Sequence, residues 1–142
     1  MQFLRTRSSA IGLSAAIVAL TLTTAYIHLS LGGVLFTLNA LGYAGLAVAL
    51  ALGSIPHPFI SRFSWLPRVG LAGFTALTIG GYLVIGPYFS LGWIAKAVEV
   101  GILFLLAVDV VRVYGSPAGL VRAALGTFRE MRSEGPLRSP TA

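Results

Sequence analysis

The sequence places three ionisable side chains inside an apolar stretch near its end. Residues 92–114 read GWIAKAVEVGILFLLAVDVVRVY and contain Lys96, Glu99 and Asp109. A charge at the centre of a membrane helix costs about 2.5–3.5 kcal/mol on insertion scales, so such residues usually face protein or water. Lys96 and Glu99 are three residues apart, so on a helix they are close enough to pair. This stretch is therefore the first candidate for a site with chemistry.

Three interpretations of the Lys96–Glu99 pair stay open. In the first, it is an ion pair that fixes helix packing. In the second, it is a binding site for a ligand or a proton. In the third, the two side chains do not interact and Lys96 snorkels to the membrane surface. Lys before Glu is the less favourable order on an isolated helix. That order indicates further partners on neighbouring helices, such as His28, Asn39 or Tyr82. Asp109 and Arg112 form a second pair of the same spacing, which we interpret as a clamp at the membrane boundary.

Composition identifies the setting of these residues as a membrane. The 142 residues are 56% hydrophobic and 10% charged, whereas about 25% of residues in a soluble domain are charged. The chain has no cysteine, so thiolate metal sites and cysteine nucleophiles are excluded. The basic residues lie at the ends of apolar runs and not on a soluble module, so nucleic acid is not an expected partner.

The apolar runs predict an all-α, four-helix transmembrane bundle with a C-terminal amphipathic helix at the membrane interface. A transmembrane domain is expected over 1–115, with a cytoplasmic helix and disordered tail over 116–142. A signal peptide is the alternative for the first run, but that run is long enough for a full span of about 20 residues. The four predicted spans are 10–31, 34–53, 69–86 and 92–114.

Glycine and proline mark the connections between these spans. Gly32 and Gly33 predict a tight hairpin between the first two spans. Gly45, Ala49 and Gly53 predict a small-residue ridge for close helix contact. The proline-rich stretch 54–68 is expected to be a loop at the headgroup layer, with an exposed histidine, His57.

The end of the chain predicts one further helix. Residues 118–132 are expected to lie on the membrane surface, because their apolar side chains fill one arc flanked by arginines. The alternative is a soluble helix that docks on a partner protein. The apolar arc contains Leu120, Val121, Ala124, Leu125, Phe128 and Met131, and its flanks are Arg122 and Arg129.

The nine arginines predict the orientation. With four spans, all of them fall on one side of the membrane, so both termini are expected to be cytoplasmic. This orientation brings polar side chains from all four spans into one slab of the outer leaflet. The predicted polar pocket consists of His28, Asn39, Tyr43, Tyr82, Lys96 and Glu99.

No complete catalytic set accompanies this pocket. His28 and Glu99 supply two metal ligands, where zinc normally takes three or four from the protein, so no metal site and no catalytic residue is predicted. The two histidines are expected on opposite leaflets, which disfavours haem held by both. A haem or pigment on His28 alone remains a minor alternative, and the cofactor is otherwise unknown.

Two stretches carry a resemblance. Residues 26–43, YIHLSLGGVLFTLNALGY, and residues 92–106, GWIAKAVEVGILFLL, resemble a loose group of uncharacterised bacterial four-helix membrane proteins. In that group a histidine ends span one, an L-F-x-L-N-A-x-G-Y-like motif opens span two, and Lys-x-x-Glu lies in span four. The resemblance implies the bacterial plasma membrane and the importance of His28, Asn39, Lys96 and Glu99, and it implies no reaction.

The expected function follows from these patterns. The first hypothesis is a non-enzymatic accessory or structural subunit of a larger membrane complex, with other subunits or further copies of itself as partners beside the lipid bilayer. The alternative is a protein that binds or transports a small ligand, a proton or a cofactor through the outer-leaflet pocket. A membrane enzyme ranks third.

Overall fold

The computed structural model describes residues 7–55 and 57–133, whose regular structure is entirely helical, without a strand. Four long helices and two shorter ones follow one another in this part of the chain. Because the apolar runs are continuous and their breaks fall at glycine or proline, each run forms one helix. The helices are α1 (Arg7–Leu31), α2 (Val34–Leu52), α3 (Pro58–Arg62), α4 (Trp65–Ile85), α5 (Ser90–Tyr114) and α6 (Pro117–Ser133).

Three of these helices are long and apolar enough to cross a membrane. They are Ser9–Leu31, Val34–Leu52 and Trp65–Ile85. Their outward faces carry large apolar side chains such as Leu22, Leu41 and Leu77, each of them exposed. Apolar residues on the outside of a helical bundle fit a membrane-embedded protein, because lipid and not water then covers them.

The long helices form a closed ring. α1 packs along α2 and α5, and α4 packs along the same two helices, so α1 and α4 lie diagonally opposite each other. The core between them contains Ile17 from α1, Tyr43 from α2, Leu71 from α4 and Ile102 from α5. Each helix therefore presents a narrow buried stripe to the bundle axis.

Two ends of the bundle can be distinguished by their connections. At the hairpin end, Gly32 and Gly33 join α1 to α2 with φ of 70° and 84°, a left-handed conformation that glycine adopts without strain. The short α4–α5 connection lies at the same end. At the α6 end, α3 links α2 to α4, and Gly115, with φ 76°, ends α5 before α6 begins.

The expectation of a loop over 54–68 is partly wrong. Residues 58–62 form α3, with Pro58 in its first turn and His57 as the N-cap, whose Nδ1 accepts from the Phe59 amide at 3.3 Å. α4 begins at Trp65, with Pro67 in its first turn. Proline is tolerated there, because the first-turn amides of a helix have no partner within it. His57 is exposed, as predicted.

The predicted small-residue ridge carries only part of the contact between α2 and α4. Gly45 is exposed, and a methyl group added to it would meet nothing within 4 Å, whereas an added Cβ at Gly53 would lie 3.7 Å from Pro67. The closest approach occurs at Gly42, where an added Cβ would lie 2.5 Å from the Phe74 ring, and at Gly70, where it would lie 3.1 Å from Leu46. The contact between α2 and α4 therefore uses two glycines that the spacing did not indicate, besides one end of the predicted ridge.

α6 packs on the bundle. The Thr127 hydroxyl is buried; it donates to the Arg62 carbonyl at 3.1 Å and accepts from the Trp65 indole at 3.3 Å. Val121, Leu125 and Phe128 remain exposed. The predicted helix is thus confirmed with slightly wider bounds, and its apolar stripe is only partly covered by the bundle. The predicted disordered tail lies, from residue 134 on, outside the described residues.

Candidate functional site

The centre of the candidate site is the carboxylate of Glu99, which is 0% exposed. Its Oε2 accepts from Lys96 Nζ at 2.5 Å and from Thr78 Oγ1 at 3.1 Å. Its Oε1 accepts from Thr24 Oγ1 at 3.4 Å and lies 3.7 Å from His28 Nε2. Donors from three helices therefore meet at one acid, which is what a buried carboxylate requires to remain stable as an anion.

Lys96 points into the bundle. The residue is 7% exposed, and its ammonium also donates to the Thr78 carbonyl at 3.3 Å. It lies 5.4 Å from the centre of the Tyr82 ring, within the range of a cation–π interaction. The snorkelling alternative is thus not what the structure shows, since the amine turns toward Glu99 and not toward the membrane surface.

His28 is held in one orientation by α1 itself. Its Nδ1 lies 2.8 Å from the Thr24 carbonyl oxygen. A carbonyl can only accept, so Nδ1 carries a proton, a tautomer inferred from the hydrogen bond. The imidazole is 3% exposed and packs against the Tyr43 ring at 5.6 Å. Nε2 is consequently the nitrogen that faces Glu99.

Tyr43 connects α2 to the same cluster. Its hydroxyl is 2.6 Å from Thr78 Oγ1, which itself donates to Glu99. Five of the six predicted pocket residues therefore meet around one carboxylate, directly or through one side chain. The sixth, Asn39, lines the adjoining cavity but is not among the residues that hydrogen-bond to Glu99.

Thr24 and Thr78 are the functional residues that the predicted pocket omitted. Both lie on the polar stripes of their helices, one turn from His28 and Tyr82 respectively. That spacing is the signal that could have added them, because residues four apart share a helix face. Thr75, one turn earlier on α4, is fully buried.

A cavity of about 340 Å³ adjoins the cluster at the hairpin end. Its walls are mainly apolar, and its polar side chains are His28, Asn39, Thr78, Tyr82 and Lys96. Cavities that bind small molecules commonly have this make-up, with apolar walls and a few convergent polar groups. The apolar lining includes Leu31, Leu35, Phe36, Phe74, Leu77, Ile85 and Phe89.

Aromatic rings close the hairpin end of the bundle beside this cavity. Tyr88 and Trp93 stack with ring centres 6.0 Å apart, and Tyr82 packs edge-on against both. Gly92 makes room for Tyr82, because an added Cβ would lie 2.5 Å from its hydroxyl. Ring packing therefore contributes to closing this end of the cavity.

The second acidic residue of α5 lies in a different environment. Asp109 is 0% exposed and accepts from Arg112 at 3.0 Å and from Arg68 Nε at 2.8 Å. Arg68 also donates to the Ser64 carbonyl at 2.6 Å and lies 5.8 Å from the Tyr114 ring centre. The predicted pair is therefore present, and it is buried and joined by a second arginine from α4. Its position at the membrane boundary stays a prediction.

The described residues contain no group of three or more His, Cys, Asp or Glu side chains that could hold a metal ion. Comparison of the chain with protein-family models, with curated proteins and with solved structures gave no match. The resemblance drawn from two stretches of the sequence therefore stays a prediction. The cluster and the cavity are the features of the molecule that bear on function.

Proposed function

We propose that the protein is a multi-pass membrane protein that binds a small, mainly apolar molecule in the cavity beside Lys96. The observation that carries the proposal is the position of this buried ammonium, which lines a mainly apolar cavity. An ammonium has three N–H groups, and those of Lys96 donate to Glu99 and to the Thr78 carbonyl. One N–H is left for an acceptor on a ligand. Because Glu99 balances the charge, a neutral ligand with a carbonyl or ether oxygen fits best.

We propose further that α5 is a fourth span. Its length of 25 residues equals that of α1. Its two acids are fully buried, whereas its outward positions are apolar and exposed, among them Ile94, Val100 and Phe104. A helix whose charges face protein and whose outside is apolar can cross a bilayer. In the proposed orientation the hairpin end faces outward and both termini are cytoplasmic, in the bacterial plasma membrane.

Reporter fusions test this topology. Fusions after Gly33 and after Tyr88 should report an external position, and a fusion after Ser64 a cytoplasmic one. An external signal after Ser64 would contradict the orientation, and a cytoplasmic signal after Tyr88 would contradict the four spans.

Ligand binding can be tested through tryptophan fluorescence, because Trp93 packs on Tyr82 with ring centres 5.5 Å apart and Tyr82 lines the cavity. A Trp65→Phe variant leaves Trp93 as the single reporter. A brominated alkyl ketone, which carries an acceptor, should quench Trp93 at lower concentrations than the brominated alkane of equal length. Bromine quenches on contact in both cases, so the difference reports the hydrogen bond.

The control is the variant Lys96→Met with Glu99→Leu, which keeps the cluster neutral and removes the donor. In this variant the ketone and the alkane should quench equally. Equal quenching in the parent protein would contradict the proposed role of Lys96.

A second candidate function is the expected subunit role in a larger complex. The observation that favours it is the outer surface of α4, where Gly73 and Gly80 are exposed and open space lies beyond each Cα. Small residues on a lipid-facing surface allow another helix to approach closely. Gly73→Leu with Gly80→Leu should then reduce the size of the particle in mild detergent and leave the monomer folded.

A further inference from the structure

We infer that His28 and Glu99 form a proton-binding site, in which one exchangeable proton is held between His28 Nε2 and Glu99 Oε1. This inference rests on the geometry of the cluster and does not depend on the proposed apolar ligand. It gives the cluster a function of its own, the binding of a proton at a fixed place inside the bundle.

Only one ring nitrogen of His28 is able to gain or lose the proton that is shared with Glu99. Nδ1 donates to the Thr24 carbonyl at 2.8 Å, one turn back on the same helix. That bond is made within α1 and is independent of the other helices. Any change in the protonation of His28 therefore takes place at Nε2.

This nitrogen, Nε2, faces an acceptor. Glu99 Oε1 lies 3.7 Å away, and the side chains are 4% and 0% exposed. A bare nitrogen lone pair and a carboxylate oxygen repel each other where water cannot separate them. At 3.7 Å the two atoms are beyond hydrogen-bond distance. A proton on either atom replaces the repulsion with attraction and draws the groups into a hydrogen bond, between an imidazolium and a carboxylate or between an imidazole and a carboxylic acid.

Of the two carboxylate oxygens, Oε1 is the one that can accept a further hydrogen bond from this proton. Oε2 accepts from both Lys96 and Thr78, whereas the donor on Oε1 is the Thr24 hydroxyl, at the longer distance of 3.4 Å. A carboxylate oxygen can accept two hydrogen bonds. Oε1, which faces Nε2, can therefore accept one further hydrogen bond.

The groups that face this pair determine its charge. They are Thr24 from α1, Tyr43 from α2, Thr78 from α4 and Lys96 from α5. Lys96 is the one further charged group of the described cluster. The cluster is therefore neutral without the proton and carries one positive charge with it. His28 lines the cavity, so the cavity is the route by which the proton exchanges.

Nitrogen NMR on protein with ¹⁵N-labelled histidine, in lipid nanodiscs, tests the inference directly. The chain has two histidines, and His57 is an exposed N-cap at the opposite end. His57→Asn keeps a capping side chain and assigns the signals. In a pH series, His28 Nδ1 should stay protonated, whereas Nε2 should change between its protonated and unprotonated forms. An unprotonated Nδ1, or an Nε2 that never changes, would overturn the inference.

A variant locates the partner of this proton. In Lys96→Met with Glu99→Gln the cluster stays neutral, but the carboxylate is gone. The Nε2–H proton of His28 should lose the low-field position that a hydrogen bond to a carboxylate gives it, while His57 is unchanged. Identical His28 signals in parent and variant would show that Glu99 does not share the proton. Because the parent spectrum already decides the tautomer, the inference stays testable if this variant folds poorly.

Discussion

The two ends of α5 each bury a carboxylate, but the groups that stabilise it differ. Each end buries one acid with a basic residue three positions away, Glu99 with Lys96 and Asp109 with Arg112. At the α6 end, Arg68 from α4 is added, so two guanidinium groups hold one carboxylate. At the hairpin end, the additional partners are an imidazole and hydroxyl groups, and a cavity adjoins them. An acid held by two arginines is suited to holding helices together, whereas an acid held by exchangeable groups beside a cavity is suited to binding.

The largest effect is expected at the α6 end. Asp109→Asn leaves Arg68 and Arg112 without their common anion, and an uncompensated buried charge costs about 3–5 kcal/mol. The free energy of unfolding in detergent should fall by that amount. Arg112→Gln is the matched control, because it keeps the Asp109–Arg68 bond and should cost less. A loss of under about 1 kcal/mol for Asp109→Asn would show that water reaches this pair.

The next effect concerns Glu99. Glu99→Gln leaves Lys96 alone in the bundle and should cost about 3 kcal/mol. Lys96→Met with Glu99→Leu should lie within about 1 kcal/mol of the parent, because an apolar replacement of a whole ion pair is often neutral. If the hairpin end is a binding site, this double variant is stable but no longer distinguishes the ketone from the alkane. If Glu99→Gln is as stable as the parent, the carboxylate is solvated or already protonated.

A smaller effect tests whether ring packing holds the hairpin end. Gly92→Ala places a methyl group against the Tyr82 hydroxyl, and such overpacking typically costs about 1–3 kcal/mol. Gly80→Ala is the control, since nothing lies within 4 Å of its added Cβ. That control should be neutral or gain up to about 1 kcal/mol, because alanine is the better helix former. Equal stability of the two variants would mean that Tyr82 moves aside freely.

The smallest effect concerns the docking of α6. Thr127→Val removes the acceptor of the Trp65 indole and a donor to the Arg62 carbonyl. A hydrogen bond contributes about 1 kcal/mol, so the free energy of unfolding should fall by about that amount. In a Trp93→Phe background, the emission of Trp65 should shift as well. Unchanged emission would show that α6 does not rest on Trp65.

The sequence predicted the hairpin end better than the α6 end. The orientation and the ends of the apolar runs were enough to bring His28, Tyr43, Tyr82, Lys96 and Glu99 together, because they place these side chains at a similar height along their helices. The sequence could not show which side chains hydrogen-bond to Glu99, since the bonds of Thr24 and Thr78 depend on how each helix is rotated about its axis.

The role of Arg68 was missed for a specific reason. Pro67 was interpreted as the end of a loop, which left Arg68 in the headgroup layer. In the structure the proline lies in the first turn of α4, where its missing amide costs nothing, and Arg68 therefore enters the bundle. The contact at Gly42 was missed because its partner is the Phe74 ring, and spacing along one helix carries no information on the side chain opposite.

The ring arrangement of the helices has a consequence for biosynthesis. α1 leaves the ribosome first, yet one of its two neighbours is α5, the last of the long helices. Until α5 arrives, the hydroxyl of Thr24 and the imidazole of His28 have no carboxylate to face. α5 in turn adds its acids to the bundle only after Arg68 and Thr78, their partners on α4, have been synthesised. The most charged of the four long helices is therefore made after the helices that supply its partners.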